Sequence, residues 1–269
     1  MKLYVMTDVE GVAGVLDSEG WCIGTAPHLE EAKELLTLEV NAAVEGFLEG
    51  GATEIVVADG HGSGGINPSL LHPKAQLMRW WPTGWPLLLD NTYDAVAWVG
   101  QHAKACTKYA HLAHTQNMWT VDLSINGISI GEFGQLALCA SELGVRSIFG
   151  SGDEAFTKEA QALVPGIETV CVKRGMTPTT GEDLPFPEYR RSKVSAIHLS
   201  VTKSRELIRE GACRAVKRAL TEDFGIIKDL PKPPYRMDLK LRAGEDKPAR
   251  TLYATHPSSI AGVLNALSV

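Results

Sequence analysis

The chain has 269 residues, 44% of them hydrophobic and 22% charged, and a formal net charge of −6. That length can bury one large or two small cores, and no apolar run is long enough to span a bilayer. The negative balance, with no basic stripe, argues against nucleic acid as a partner. The opening Met1-Lys2-Leu3-Tyr4 runs directly into a charged strand end, so no signal peptide is expected. The five cysteines (Cys22, Cys106, Cys139, Cys171, Cys213) are scattered and never spaced Cys-x-x-Cys. Reduced thiols in a cytoplasmic protein are the expectation. Cys106, near His102 and His111, is the one thiol placed to be weighed as a nucleophile.

Leu3-Tyr4-Val5-Met6-Thr7 reads as a buried strand closed by Asp8-Val9-Glu10-Gly11. Side chains alternate along a strand, so Asp8 and Glu10 point the same way. Two carboxylates this close repel unless a positive charge lies between them, which makes this strand end a candidate metal site. Apolar residues at helical spacing predict a helix over 28–49, ended by Gly50-Gly51. A second strand, 52–58, ends in Asp59-Gly60-His61-Gly62 and leads into an irregular stretch or one short helix at 68–73. Trp80-Trp81-Pro82-Thr83-Gly84-Trp85-Pro86 cannot form a long helix. Its tryptophans suit a buried loop anchor, a subunit interface or a substrate-pocket wall.

A third strand, 94–99, ends in Gly100-Gln101-His102-Ala103, and a fourth, 125–130 with Asn126-Gly127 inside it, ends in Gly131-Glu132-Phe133-Gly134. Glu132 opens a helix to about Leu143, and a strand at 146–150 precedes Asp153, which reads as a helix N-cap. A strand at 167–172 is followed by a polar, proline-rich loop or lid at 177–191, the expected domain boundary. Beyond it the pattern predicts a strand at 194–200, a helix at 204–220, strands at 236–242 and 249–255, and a last helix from Pro257. The order predicts an α/β protein, with a mixed-sheet α/β N-terminal domain over 1–190 and a smaller C-terminal α+β domain over 191–269.

Repeatedly an apolar run stops, a glycine follows, and a carboxylate or imidazole stands beside it. A lone acid there is commonly an N-cap and a lone histidine a polar loop residue. Repetition at four strand ends favours metal: Asp8, Glu10, His61, His102 and Glu132 exceed what one tetrahedral zinc needs and suit two ions sharing a carboxylate. Gly60-His61-Gly62-Ser63-Gly64-Gly65 matches a dinucleotide fingerprint formally, but Pro68 interrupts the helix that such a site requires.

Asp8-Val9-Glu10-Gly11, Asp59-Gly60-His61-Gly62, Gly100-Gln101-His102-Ala103, His114-Thr115 and Gly131-Glu132-Phe133-Gly134 together resemble the zinc D-aminopeptidase (DppA-type) metallopeptidase family, in order and approximate spacing over residues 1–155. The resemblance implies a dinuclear zinc aminopeptidase acting on short D-amino-acid peptides with a free N-terminus. It implies ligands at Asp8, Glu10, His61, His102 and Glu132, with Asp8 bridging, and a catalytic His114 close to the metals but not bound to them. It also implies a homo-oligomer, a decamer of two stacked pentamers. The chain departs from the family pattern in carrying Met6 two residues before the first acid, and Arg174-Gly175-Met176 with a long proline-rich loop after it. From the residues alone, another dinuclear hydrolase, such as an amidase or a phosphoesterase, and a non-catalytic metal-bound assembly protein remain as alternatives. A phosphoesterase would want cations near the metals, and Lys104 and Lys108 are nearby in sequence.

Overall fold

A computed structural model of the chain describes residues 1–244 and 248–267. In chain order the elements are β1 (Lys2–Thr7), α1 (Ser18–Trp21), α2 (Leu29–Gly50), β2 (Glu54–Asp59), β3 (Ala75–Met78), β4 (Ala95–Gln101), β5 (Thr120–Ile125) and β6 (Ile128–Ser129). They continue as α3 (Glu132–Glu142), β7 (Arg146–Asp153), α4 (Glu154–Leu163), β8 (Glu168–Gly175), α5 (Phe186–Ser192), β9 (Ala196–His198), α6 (Val201–Thr221), β10 (Tyr235–Leu241), β11 (Arg250–His256) and α7 (Ile260–Leu264). Among the described residues, no helix is long and apolar enough to cross a membrane.

Seven strands form a mixed sheet in the order β3-β2-β1-β4-β7-β8-β9, parallel except for β9, and four form a second sheet, β11-β10-β5-β6. Val5 pairs with Val57 on one side and with Ala97 on the other. From β1 the chain winds outward through β2 and β3; from β4 it winds the opposite way. Ligand crevices in open α/β sheets form at such a switch, outside the carboxyl ends of the strands. Asp8, Glu10, His61 and His102 all follow strands that meet there.

Alternation along β1 sorts side chains into two cores. Leu3 and Val5 join Leu36, Val40 and Phe47 of α2 and Ile208 of α6 on one face. Tyr4 and Met6 join Trp98, Phe133 and Phe156 on the other, where the second sheet adds Leu123, Met237 and Leu239. Burying one such side chain contributes roughly 1.5–3 kcal/mol, so a one-residue slip, which would swap the faces, is strongly disfavoured. β1 ends at Thr7, so Asp8 and Glu10, expected to point the same way by strand alternation, lie instead in the turn beyond the strand, and that loop aims them.

The expected strand at 125–130 is instead the hairpin β5–β6. Asn126 and Gly127 take φ of 48° and 83°, the left-handed geometry of a tight two-residue turn. It also belongs to the second sheet, not the first. The expected strand end before Glu132 is therefore a hairpin arm, with Glu132 carried to the site by α3. The stretch at 68–73 is irregular and is followed by the edge strand β3. The 177–191 segment contains most of α5, and a division between 190 and 191 falls inside that helix. Beyond it, β9 joins the first sheet while β10 and β11 extend the sheet begun by β5 and β6.

Candidate metal centre

Where β1 and β4 end, the backbones touch. The Asp8 amide donates to the Val99 carbonyl at 3.0 Å and the Gly11 amide to the Gly100 carbonyl at 2.7 Å. Gly100 has φ of 77°, and a Cβ there would stand 2.0 Å from the Asp8 carbonyl oxygen; at Gly11 a Cβ would stand 2.2 Å from that of Gln101. Only glycine permits this approach. The His61 loop is strapped differently. Asp59 accepts from the amides of Gly65 and Ile66, while the Arg79 guanidinium donates to the carbonyls of Asp59 (2.9 Å), His61 (2.5 Å) and Gly62 (2.8 Å).

Two clusters result, each with ligand-capable atoms within 4.8 Å of one another: Asp8, Glu10 and His61, and His102, His114 and Glu132. Asp8 faces both. Its Oδ1 lies 3.1 Å from His61 Nδ1 and its Oδ2 lies 3.1 Å from His102 Nε2. Glu10 Oε2 is 3.3 Å from His61 Nδ1, and Glu132 Oε1 is 3.6 Å from His102 Nε2 and 3.7 Å from His114 Nε2. The rings of His102 and His114 stack in parallel, 4.0 Å between centroids.

The tautomers follow from the partners. A backbone carbonyl only accepts, so His61 Nε2 donates to Cys22 (2.7 Å), His102 Nδ1 to Ala103 (2.9 Å) and His114 Nδ1 to Leu112 (2.8 Å). In each case the other nitrogen is the one turned toward the carboxylates. Metal-ligating histidines are commonly oriented this way, the distal N–H held by a fixed acceptor.

The charges are arranged to hold a cation. Burial alone would raise the Asp8 carboxyl, but the imidazoles of His102 and His61 hold it well below the ordinary range. Burial opposes charge on His102, yet Glu132, Asp8 and Glu10 push it up to about 10; His61 is driven well above its usual value against its own burial, by Glu10 and Asp8. Without metal, imidazolium protons supply the positive charge that the carboxylates require. Glu10 Oε2 and His102 Nε2 are nevertheless buried, and despite contacts of 3.3 Å to His61 and 3.1 Å to Asp8 neither makes a well-aligned hydrogen bond. An unpaired buried polar atom costs roughly 1–3 kcal/mol, and a divalent cation held by these donors would remove both defects.

The clusters face a cavity of about 800 Å³, within the usual range for small-molecule sites. All five expected ligand positions and His114 lie at or beside it, although His102 is itself wholly enclosed. Trp81 and Trp85 line the cavity, whereas Trp80 is exposed beneath Arg79. Asp153 caps α4 through the Phe156 amide and also accepts from the His111 amide. Burial pushes His111 down to about 2, with Lys173 adding to the effect. Cys106 does not line the cavity; burial raises its thiol, and Arg242 donates to its sulfur at 3.4 Å.

Several contributors carry no sequence signal of their own. Gln101 donates to Asp8 Oδ2 at 3.3 Å, and the Gln116 amide donates to Glu132 Oε1 at 2.7 Å. Gln101 adjoins His102 and Gln116 follows His114-Thr115, so both border motifs; Trp119, Phe186 and Arg190 come from segments with no motif.

A family model described as D-aminopeptidase matches residues 1–252. A D-aminopeptidase of Bacillus subtilis (strain 168) is 29% identical over 177 residues, 65% of this chain and 64% of that protein, so the match spans less than two thirds of the relative's length. The solved structure of the Zn-dependent D-aminopeptidase DppA from Bacillus subtilis, described as a self-compartmentalizing protease, superposes with a TM-score of 0.83 at 21% identity. The superposition covers 98% of this chain and 95% of that one and establishes a shared fold.

Proposed function

The chain belongs to the D-aminopeptidase family, and we propose that it is a zinc-dependent aminopeptidase removing the N-terminal residue of short peptides, D-amino-acid peptides among them. The observation that carries this reading is the set of three imidazoles, each pinned by a main-chain carbonyl with its free nitrogen among carboxylates at an open cavity. Asp8, Glu10 and His61 would hold one ion, and His102 and Glu132 together with Asp8 a second. Zinc held there supplies Lewis acidity, polarising a carbonyl and making water acidic enough to attack at neutral pH. An uncharged amino group is a good zinc donor and an acylated nitrogen is not, so such a centre fits an enzyme that requires a free N-terminus. His114, its Nδ1 proton committed to Leu112, keeps Nε2 free to take a proton and return it to the leaving amine.

Two observations favour this over the alternatives. Lys104 and Lys108, the cations that a phosphoesterase would need, line a different cavity. An open cavity beside both clusters suits exchangeable ligands, whereas a purely structural site is closed. Assembly as a homo-oligomer, a decamer of stacked pentamers, is part of the proposal and is supported by the likeness to a self-compartmentalizing relative. Free thiols throughout the described residues suit the cytoplasm. Sedimentation should show a particle far larger than 29 kDa, and a clean monomer would rule the ring out.

The direct test is hydrolysis of free-amine and N-acetylated dipeptides, D,D and L,L, by zinc-loaded protein. Cleavage restricted to free amines, abolished by chelation and restored by zinc, is the expected result. Equal cleavage of acetylated substrates, or cleavage of none, would overturn the assignment.

A further inference from the structure

The cavity is acidic at its floor and apolar along one side, and among the described residues a single lysine or arginine, Arg190, lines it. Arg190 sits on α5, one turn beyond Phe186, so both side chains share a face of that helix. Phe186 stacks on Trp119 with centroids 4.2 Å apart and planes 16° from parallel, and the Arg190 guanidinium lies 5.4 Å from the Phe186 centroid. This wall is braced from behind. Tyr189 is fully buried and its hydroxyl donates to the Ala113 carbonyl at 2.6 Å, while Arg242 lies 3.9 Å from its ring centroid. Arg242 also donates to the carbonyls of Gly181 (3.1 Å) and Leu184 (2.6 Å), tying down the approach to α5.

Nη2 of Arg190 pairs with Glu19 of α1, whose side chain is 63% exposed at the rim. Among the described residues no protein acceptor takes Arg190 Nε or Nη1. Nε and Nη1 are therefore unused, and a bidentate carboxylate, which needs Nη2 together with one of them, shares Nη2 with Glu19.

We propose that Arg190 anchors the free C-terminal carboxylate of a short peptide, and that Trp119 and Phe186 beside it select an apolar residue at that end. The proposal rests on the peptidase reading for the identity of the ligand. The peptide is then held at both ends, its amino end at the Asp8–Glu10–His61 and His102–Glu132 clusters and its carboxylate at Arg190. Because the anchor is fixed on a braced helix, it limits substrate length and distinguishes a free acid from an amide. Glu19 competes for the same donors.

The test is calorimetric binding to the zinc-loaded protein of a non-hydrolysable alanyl-phenylalanine isostere, D,D and L,L, with a hydroxyethylene link in place of the scissile amide. Each is offered as the free acid and as the C-terminal carboxamide. The free acid should bind better than the amide, and Arg190→Gln should weaken the acid by about ten- to a hundredfold while leaving the amide unchanged. Glu19→Gln should tighten the acid alone. Equal binding of acid and amide, no binding of either acid, or an equal effect of Arg190→Gln on both would overturn the proposal and leave the Arg190–Glu19 pair as a clasp between helices. Hydrolysis of the parent dipeptides is measured alongside. Acid preference without hydrolysis would sink the peptidase reading and keep the anchor; hydrolysis without acid preference would do the reverse.

Discussion

Glu39 offers a quantitative test of how the site is supported. It lies on α2, fully buried, where Oε1 accepts from the Ala13 amide at 3.2 Å and from the Ser204 hydroxyl at 2.5 Å. It thus joins the loop that follows Asp8 and Glu10 to both helices of one layer. Burial raises its carboxyl from 4.5 to about 7, against the hydrogen bonds and the opposing pull of Lys173 and Arg205. Oε2 has no partner. A folded-state value above the unfolded one means that the stabilisation from the protonated form is complete below pH 4.5 and is lost as pH rises through 7. At 1.36 kcal/mol per pH unit the loss amounts to roughly 3 kcal/mol. Glu39→Gln keeps the accepting carbonyl and cannot ionise. Urea denaturation of both proteins at saturating zinc, from pH 4 to pH 8, should therefore show the variant gaining about 3 kcal/mol relative to the wild type. Titration of the metal cluster is common to both and cancels. Stability curves running parallel across that range would refute the argument, because the carboxylate would then be as well solvated folded as unfolded.

Asp8→Ala removes the carboxylate that faces both clusters, so bound zinc, measured by elemental analysis, should fall below the wild-type content, which is about two ions per chain on the proposed reading, and activity should vanish with it. His114→Ala should keep the zinc and lose roughly a hundredfold in rate; loss of metal in parallel with Asp8→Ala would instead make His114 a ligand with His102 and Glu132. Gly100→Ala, which forces a Cβ against the Asp8 carbonyl at a positive φ, should cost about 1–3 kcal/mol or more, and an unchanged melting temperature would show that the β1–β4 junction relaxes freely.

What the sequence discloses and what it hides divides along physical lines. A buried parallel strand needs an uninterrupted apolar run, and its end needs glycine where neighbouring strands crowd. Asp8, His61 and His102 therefore stand next to legible punctuation, and the mixed α/β architecture follows from the same runs. β3 leaves no mark in the sequence because Ala75-Gln76-Leu77-Met78 is a half-exposed edge strand with no β-branched residue, lying between Pro73 and Trp80. In the hairpin, apolar Ile125, Ile128 and Ile130 mask the Asn126-Gly127 turn between them, although Val121, Leu123 and Ile125 alternate with polar residues as a strand should. The cavity's far side is a different matter. Phe186 and Arg190 reach the cavity on α5, which Tyr189 and Arg242 pin, while Gln116 is held by Glu132 and Gln135 of α3 and Trp119 stacks on Phe186. Such contacts leave no local pattern. Chemistry fixed by strand ends is accordingly readable before any fold is known, whereas substrate selection, built from packing between distant segments, requires the fold. On that logic, if the proposed peptidase reading holds, Phe186→Ala and Arg190→Gln should change which peptides are cleaved, as a dipeptide screen would show, while Asp8→Ala should abolish cleavage of all of them.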